Sequence, residues 1–150
     1  MKMMLWLALI PMTSHAMDRL SALSNIETGN NDSMVGRAGE ISRYQVLKAE
    51  WRSVTSSTSY RDPEISRLVT LKLLEQRVDR FKSRYNRNPN DFEFYALWNA
   101  PTQVLTGRIS RTVAERCHRF ANLCSSDKGP GPVAYVSNHA SRTTTGNRTL

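Results

Sequence analysis

The 150-residue chain is poor in the side chains that most often carry reactive or metal-binding chemistry, with two cysteines and three histidines. Their spacing matches no zinc-ligand set, so no metal centre is expected. His15 lies in the apolar N-terminal segment, His118 beside an apolar helical stripe and His139 in a polar C-terminal region, so no serine, histidine or cysteine constellation forms a nucleophilic site. No apolar run reaches the roughly 20 residues that span a bilayer. Internal repeats are absent, as are helix-turn-helix spacing and the aromatic-basic pattern of RNA-binding sheets, which argues against a nucleic-acid partner. What the chain has in excess is positive charge: 21 Lys and Arg against 13 Asp and Glu, a formal net charge of +8. These cations are scattered, as on a solvated surface, rather than gathered into one tract.

The N-terminus has the order of an export signal. Met1-Lys2 supplies a positive start, Met3 to Met12 an apolar run broken by Pro11, and Ser14-His15-Ala16 a small-x-small cleavage site. Residues 1–16 are therefore expected to be a signal peptide, with the mature chain beginning at Met17 in the periplasm or outside the cell and keeping no membrane anchor. Loss of Lys2 takes the formal charge from +8 to +7. The remaining length suits one domain with a real core. A basic surface outside the cytoplasm meets cell-wall polymer rather than nucleic acid.

Hydrophobic spacing predicts a mainly α domain over 17–124. A first helix runs from Asp18 to Ile26, and Thr28 and Gly29 stop it just after Glu27. A turn-rich passage follows, with Gly36 and Gly39 marking an irregular or short β-like excursion. Val46 to Arg52 reads as a short helix with Leu47 and Trp51 on one face. Asp62-Pro63-Glu64 is a strong helix start. The helix it opens runs to Tyr85 with Leu71, Leu74, Val78, Phe81 and Tyr85 as its core stripe, and with Arg77 on the other side. A further helix from Asn90 or Asp91 carries Phe92, Tyr95, Ala96 and Trp98 and ends at Asn99-Ala100-Pro101. Ser110 opens the last helix, with Val113, Cys117, Phe120 and Cys124 inward. Cys117 and Cys124 stand about 10 Å apart on a continuous helix, beyond the roughly 7 Å that a disulfide allows. A bridge requires the helix to break near Asn122. Residues 125–150 lack periodicity and read as a disordered basic tail.

Carboxylates remain as candidates for chemistry. Glu27, Asp32 and Glu40 fall within one short stretch, with Gln45 close behind. A carboxyl at a helix end, half against a core, is where an acid acquires a raised pKa. Glu27-Thr28-Gly29-Asn30 resembles the Glu-Ser-Gly-Asn motif of lytic transglycosylases, the soluble lytic transglycosylase and goose-type lysozyme group. Ser42-Arg43-Tyr44-Gln45-Val46 is loosely similar to their Gly-Leu-Met-Gln motif with its following aliphatic residue. Leu97-Trp98-Asn99-Ala100-Pro101 is similar to their Ala-Tyr-Asn-Ala-Gly.

The resemblance spans about residues 18 to 124 and implies a lysozyme-like α+β fold that cleaves peptidoglycan glycan strands without a cofactor. It places the catalytic acid on Glu27 and lines the substrate cleft with Gln45, Tyr44, Tyr95, Trp98 and Asn99. Three positions depart from it. Arg43-Tyr44 stands for an apolar pair and implies a more basic cleft wall, Trp98 stands for tyrosine, and Pro101 for glycine. Asp32 or Glu40 could serve as a second carboxylate in a hydrolase, and a glycan-binding protein without turnover would keep the same motifs. Asp32 could equally be a turn residue, Gln45 and Asn99 helix-end residues, and Trp98 plain core.

Overall fold

The computed structural model describes residues 17–125. Within them, the four longest helices each begin at a polar side chain that accepts hydrogen bonds from otherwise free backbone N–H groups. Asp18 accepts from Leu20 and Ser21 at the start of α1 (Arg19–Thr28), and Asp62 from Glu64 and Ile65 at the start of α3 (Pro63–Tyr85). Between them lies α2 (Lys48–Val54). Asn90 and Glu93 exchange hydrogen bonds across the first turn of α4 (Asp91–Asn99), a capping box. The short α5 (Pro101–Thr106) starts on a proline and stops at Gly107 in the left-handed conformation, and α6 (Arg111–Cys124) is capped by Ser110. The expected signal peptide and the tail from residue 126 onward lie outside the described residues.

Helix α4 is the axis of the domain. Phe94, Tyr95, Ala96, Leu97 and Trp98 are all buried. A helix apolar on every side has to be surrounded, and α4 packs against α6, α5 and α3, while α1 lies on α6 and α2 on α3. Phe120 of α6 stacks on Phe94 at 5.9 Å and meets Tyr95 at 5.2 Å between ring centroids. Burying a side chain of this size contributes about 1.5–3 kcal/mol relative to leaving it in water. Trp51 closes the far end, with no exposed surface, donating its indole N–H to the Ser57 carbonyl at 2.7 Å. The expectation of a mainly α chain is met, and the excursion after α1 is a single antiparallel bridge between Ile41 and Val46.

Four local expectations fail for identifiable reasons. Val46 belongs to that bridge rather than to a helix, so α2 starts at Lys48 and Leu47, 42% exposed, does not share the buried face of Trp51. On α3 the buried residues are Ser66, Val69, Thr70, Leu73, Leu74 and Phe81, whereas Leu71 and Tyr85 are exposed. The helix meets α2, α4 and α5 along its length, and small polar Ser66 and Thr70 occupy inward positions that an apolar pattern passes over. Arg77 is drawn inward instead of facing solvent: its side chain is 11% exposed. Finally, α5 occupies what reads as loop, because six residues are too few to display a helical period. The last helix is unbroken through Asn122 and both cysteines are free thiols. Burial pushes their pKa values up, to about 12 for Cys117 and about 11 for Cys124.

The α3 register is checked by two truncations. Leu73→Ala should cost about 2–5 kcal/mol in urea denaturation, and Leu71→Ala less than about 1 kcal/mol. The opposite order would restore the stripe read from the sequence.

Candidate active site

Glu27 sits in the last turn of α1, one residue before its end. The helix stops because Gly29 turns left-handed (φ 64°) and its N–H closes back on the Asn25 carbonyl at 2.9 Å, while the Asn30 N–H reaches that of Ser24 at 3.2 Å. The Glu27 side chain is left leaning on α4, where the Tyr95 hydroxyl donates to its Oε1 at 2.8 Å. Burial raises the Glu27 pKa above the ordinary carboxylate range. The Tyr95 hydrogen bond and the charge of Arg116 pull it down, and the charge of Glu40 pushes it up; burial prevails. Tyr95 itself has no exposed surface, and burial next to the Glu27 carboxyl drives its phenol well above the ordinary range, so it stays a donor.

The other side of Glu27 opens on a cleft of about 500 Å³. Gln45 and Asn99 line it with Glu27, as do Glu40 and the edge of Trp98. Gln45 comes from a tight loop in which Ser42 and Gln45 both hold left-handed backbone, at φ 64° and 54°. Such a conformation costs a non-glycine residue roughly 1–3 kcal/mol and persists where the surroundings fix it. Here the Ile41–Val46 bridge and the Thr28 hydroxyl, which donates to the Arg43 carbonyl at 2.9 Å, fix it. Gly36 packs against the inner side of this loop: a Cβ there would collide with the Glu40 carboxylate and the Gln45 side-chain oxygen.

The remaining expected site residues are mostly buried or lie outside the cleft. Tyr44 is 4% exposed and does not line the cleft; its carbonyl accepts from the Trp98 indole N–H at 3.1 Å. Tyr95 reaches the cleft only through Glu27. Trp98 is mostly core, 7% exposed, with the Arg77 guanidinium 4.9 Å from its ring centre. Asp32 takes a two-point ion pair from Arg43, at 2.6 and 2.5 Å, which holds its carboxyl below the ordinary range. Neither lines the Glu27 cleft, and Asp32 lines a separate depression of about 580 Å³. Arg43 therefore forms no part of a basic cleft wall. A third depression of about 560 Å³ lies between α1 and α3 and is mostly apolar. Glu27, the carboxyl whose pKa burial raises, lines neither of these larger hollows, so chemistry rather than volume singles out its cleft.

Sequence reasoning missed three arginines there: Arg37, Arg77 and Arg116. Arg77 donates to the carbonyls of Trp98 at 2.8 Å and Leu97 at 3.3 Å and pairs with Glu50 of α2, so one guanidinium joins three helices beside Asn99. No local signal marks such a residue, because its partners are 20 or more positions away. Among the described residues no group of three or more His, Cys, Asp and Glu is arranged to hold a metal. No family model matches the chain, and neither a curated protein nor a solved structure is similar to it. The class the geometry defines is a small helical protein with an acid of raised pKa, Glu27, in an open polar cleft.

Removing the Tyr95 hydroxyl (Tyr95→Phe) takes away a hydrogen bond to the charged carboxylate, so the Glu27 pKa should rise further. Carboxyl ¹³C titration by NMR reads this directly, and a downward shift would contradict the arrangement. Gly36→Ala should shift the Gln45 side-chain amide resonance while costing less than about 1 kcal/mol, since the atoms it meets end flexible side chains. An unmoved amide signal would show that the close approach is not maintained in solution.

Proposed function

We propose that the protein is an exported lytic transglycosylase of lysozyme-like architecture, cleaving the β-1,4 bond between N-acetylmuramic acid and N-acetylglucosamine in peptidoglycan. The observation that carries this reading is Glu27: a carboxyl held by Tyr95, with its pKa raised by burial, opening on a cleft that also receives Gln45 and Asn99. The three motif resemblances and the signal-like N-terminus support it.

In the proposed reaction neutral Glu27 gives its proton to the glycosidic oxygen as the muramyl C1–O bond breaks. The carboxylate so formed steadies the positive charge left on the ring and then takes the proton of the muramyl 6-hydroxyl. That oxygen attacks C1 and closes a 1,6-anhydro ring. The proton balance closes on one residue, so no second carboxylate is needed. Gln45 and Asn99 offer amide donors and acceptors to hydroxyl and acetamido groups of the strand.

Glu40 lines the same cleft and gives a hydrolytic alternative a physical footing, whereas the Arg43-paired Asp32 does not. The purified protein and its Glu27→Gln variant, incubated with cell-wall sacculi and followed by mass spectrometry, separate these readings. Anhydro-muramyl ends should appear with the wild type, and release should fall at least about 100-fold in the variant. Reducing ends lost in Glu40→Gln would make it a hydrolase, and equal binding without release by both proteins would make it a glycan-binding protein.

A stability measurement accompanies this test. Because folding raises the Glu27 pKa, the wild type loses stability as pH climbs from the unfolded-state carboxylate range through the folded value. Glutamine keeps the shape and an acceptor for Tyr95 but has no charge to bury. At pH 7 the variant should melt at or above the wild-type temperature, with the gap narrowing on acidification to about pH 4.

A further inference from the structure

The charges of the cleft do not cancel. Arg77 is matched by Glu50 and by two carbonyls of α4. Glu40 accepts from the Ala38 N–H at 2.9 Å and balances one cation. Arg37, from the loop, and Arg116, from α6, also line the cleft, and among the described residues neither makes an ion pair or a hydrogen bond. With Glu27 protonated, three arginines face two carboxylates in the wall. A guanidinium without a partner beside a sugar-binding cleft is a planar two-point donor for an anion, and carboxylate geometry matches it.

We propose that Arg37 and Arg116 are specificity residues that seat a carboxylate of the bound strand, so that the cleft selects carboxylate-bearing glycan over neutral glycan of the same backbone. The inference rests on the glycan-cleaving reading and names what that site prefers. In peptidoglycan such a carboxylate has two sources. One is the lactyl group of the muramyl residue, free only where the peptide has been removed; the other is the stem peptide, when the lactyl group is amidated by it. Both present the same group to a guanidinium.

Arg116 adds a consequence. Glu27 is faced by Tyr95 from α4, Arg116 from α6 and Glu40 from the loop, and the Arg116 charge favours the ionised form of Glu27. A ligand carboxylate on Arg116 offsets that charge and favours the protonated acid, so the group that marks the right substrate also readies the proton donor.

Glu27→Gln, which binds without turnover under the reading above, serves as the binding probe in calorimetry with three ligands. They are peptide-free glycan strands, the same strands with their carboxyls converted to neutral amides, and peptide-bearing strands. Whichever strand carries the seated carboxylate, the peptide-free acid or the peptide-bearing form, should bind at least about tenfold more tightly than the neutral amide. Adding Arg37→Gln and Arg116→Gln should abolish the difference, and Arg→Lys at both positions should restore part of it. Tighter binding of peptide-bearing strands than of peptide-free ones assigns the carboxylate to the stem peptide, and the reverse order assigns it to the lactyl group. Equal affinity for all three ligands overturns the proposal even where sacculi are cleaved. Should the arginine variants fail to fold, the comparison of the three ligands on intact arginines still decides. A carboxylate preference without any cleavage by the wild type would instead retain this inference and remove the catalytic one.

Discussion

The hydrogen bond from Tyr95 to Glu27 is the contact on which the site depends. A fully buried phenol without an acceptor costs about 1–3 kcal/mol, and a half-buried carboxyl without a donor is no better placed. Each group reduces the other's penalty. Tyr95 cannot withdraw, because it lies within α4 at the centre of the domain and against Phe120 of α6. The end of α1 is thereby registered against α4 and α6 together, and the second oxygen of Glu27 is left without a hydrogen-bond partner among the described residues. An acid that is to exchange a proton needs this combination of one fixed oxygen and one free.

A second tie fixes the opposite wall. Arg77 fills the space between α2, α3 and the C-terminal end of α4, where exposed carbonyls carry partial negative charge. Removing a guanidinium this far from water is unfavourable unless its donors are used, and Glu50 with the Leu97 and Trp98 carbonyls uses them. Trp98, held further by the Tyr44 carbonyl, cannot swing into the cleft. Asn99, the next residue, is presented at its rim. The two ties act on consecutive turns of α4, so one short helix sets both walls.

What was legible in the sequence follows from how local each determinant is. Asp62-Pro63, Asn90 with Glu93, and Ser110 announce their helices because a cap is settled within four residues. The inner face of α6 is legible for the same reason, its period being unbroken. The face of α3 is not, since three different helices press on it and Ser66 and Thr70 go inward without being apolar. Within 26–46 the site was half legible. Glu27 and Gln45 do line one cleft, but the loop serves two depressions: Glu40 and Gln45 line that of Glu27, while Asp32, paired with Arg43, lines the other. Adjacency in sequence could not tell which side chains turn which way. Arg37, Arg77 and Arg116 were invisible because each is defined by partners on other elements.

The balance around Glu27 gives these separate features one meaning. In the proposed reaction Glu27 first releases a proton and then accepts one, and such a residue works best with a pKa near the ambient pH, neither that of a free carboxyl nor that of a permanently neutral one. Burial and Glu40 push in one direction, Tyr95 and Arg116 in the other. Tyr95 is fixed by the core and burial by the fold, so these two are constants of the structure. Glu40 and Arg116 line the open cleft, where a ligand can reach and alter them. The setting of the acid is therefore divided between a rigid half, built into α1 and α4, and a half that changes with occupancy. Gly36 belongs to the second half, because any side chain there would displace Glu40 and Gln45 in the wall of the cleft.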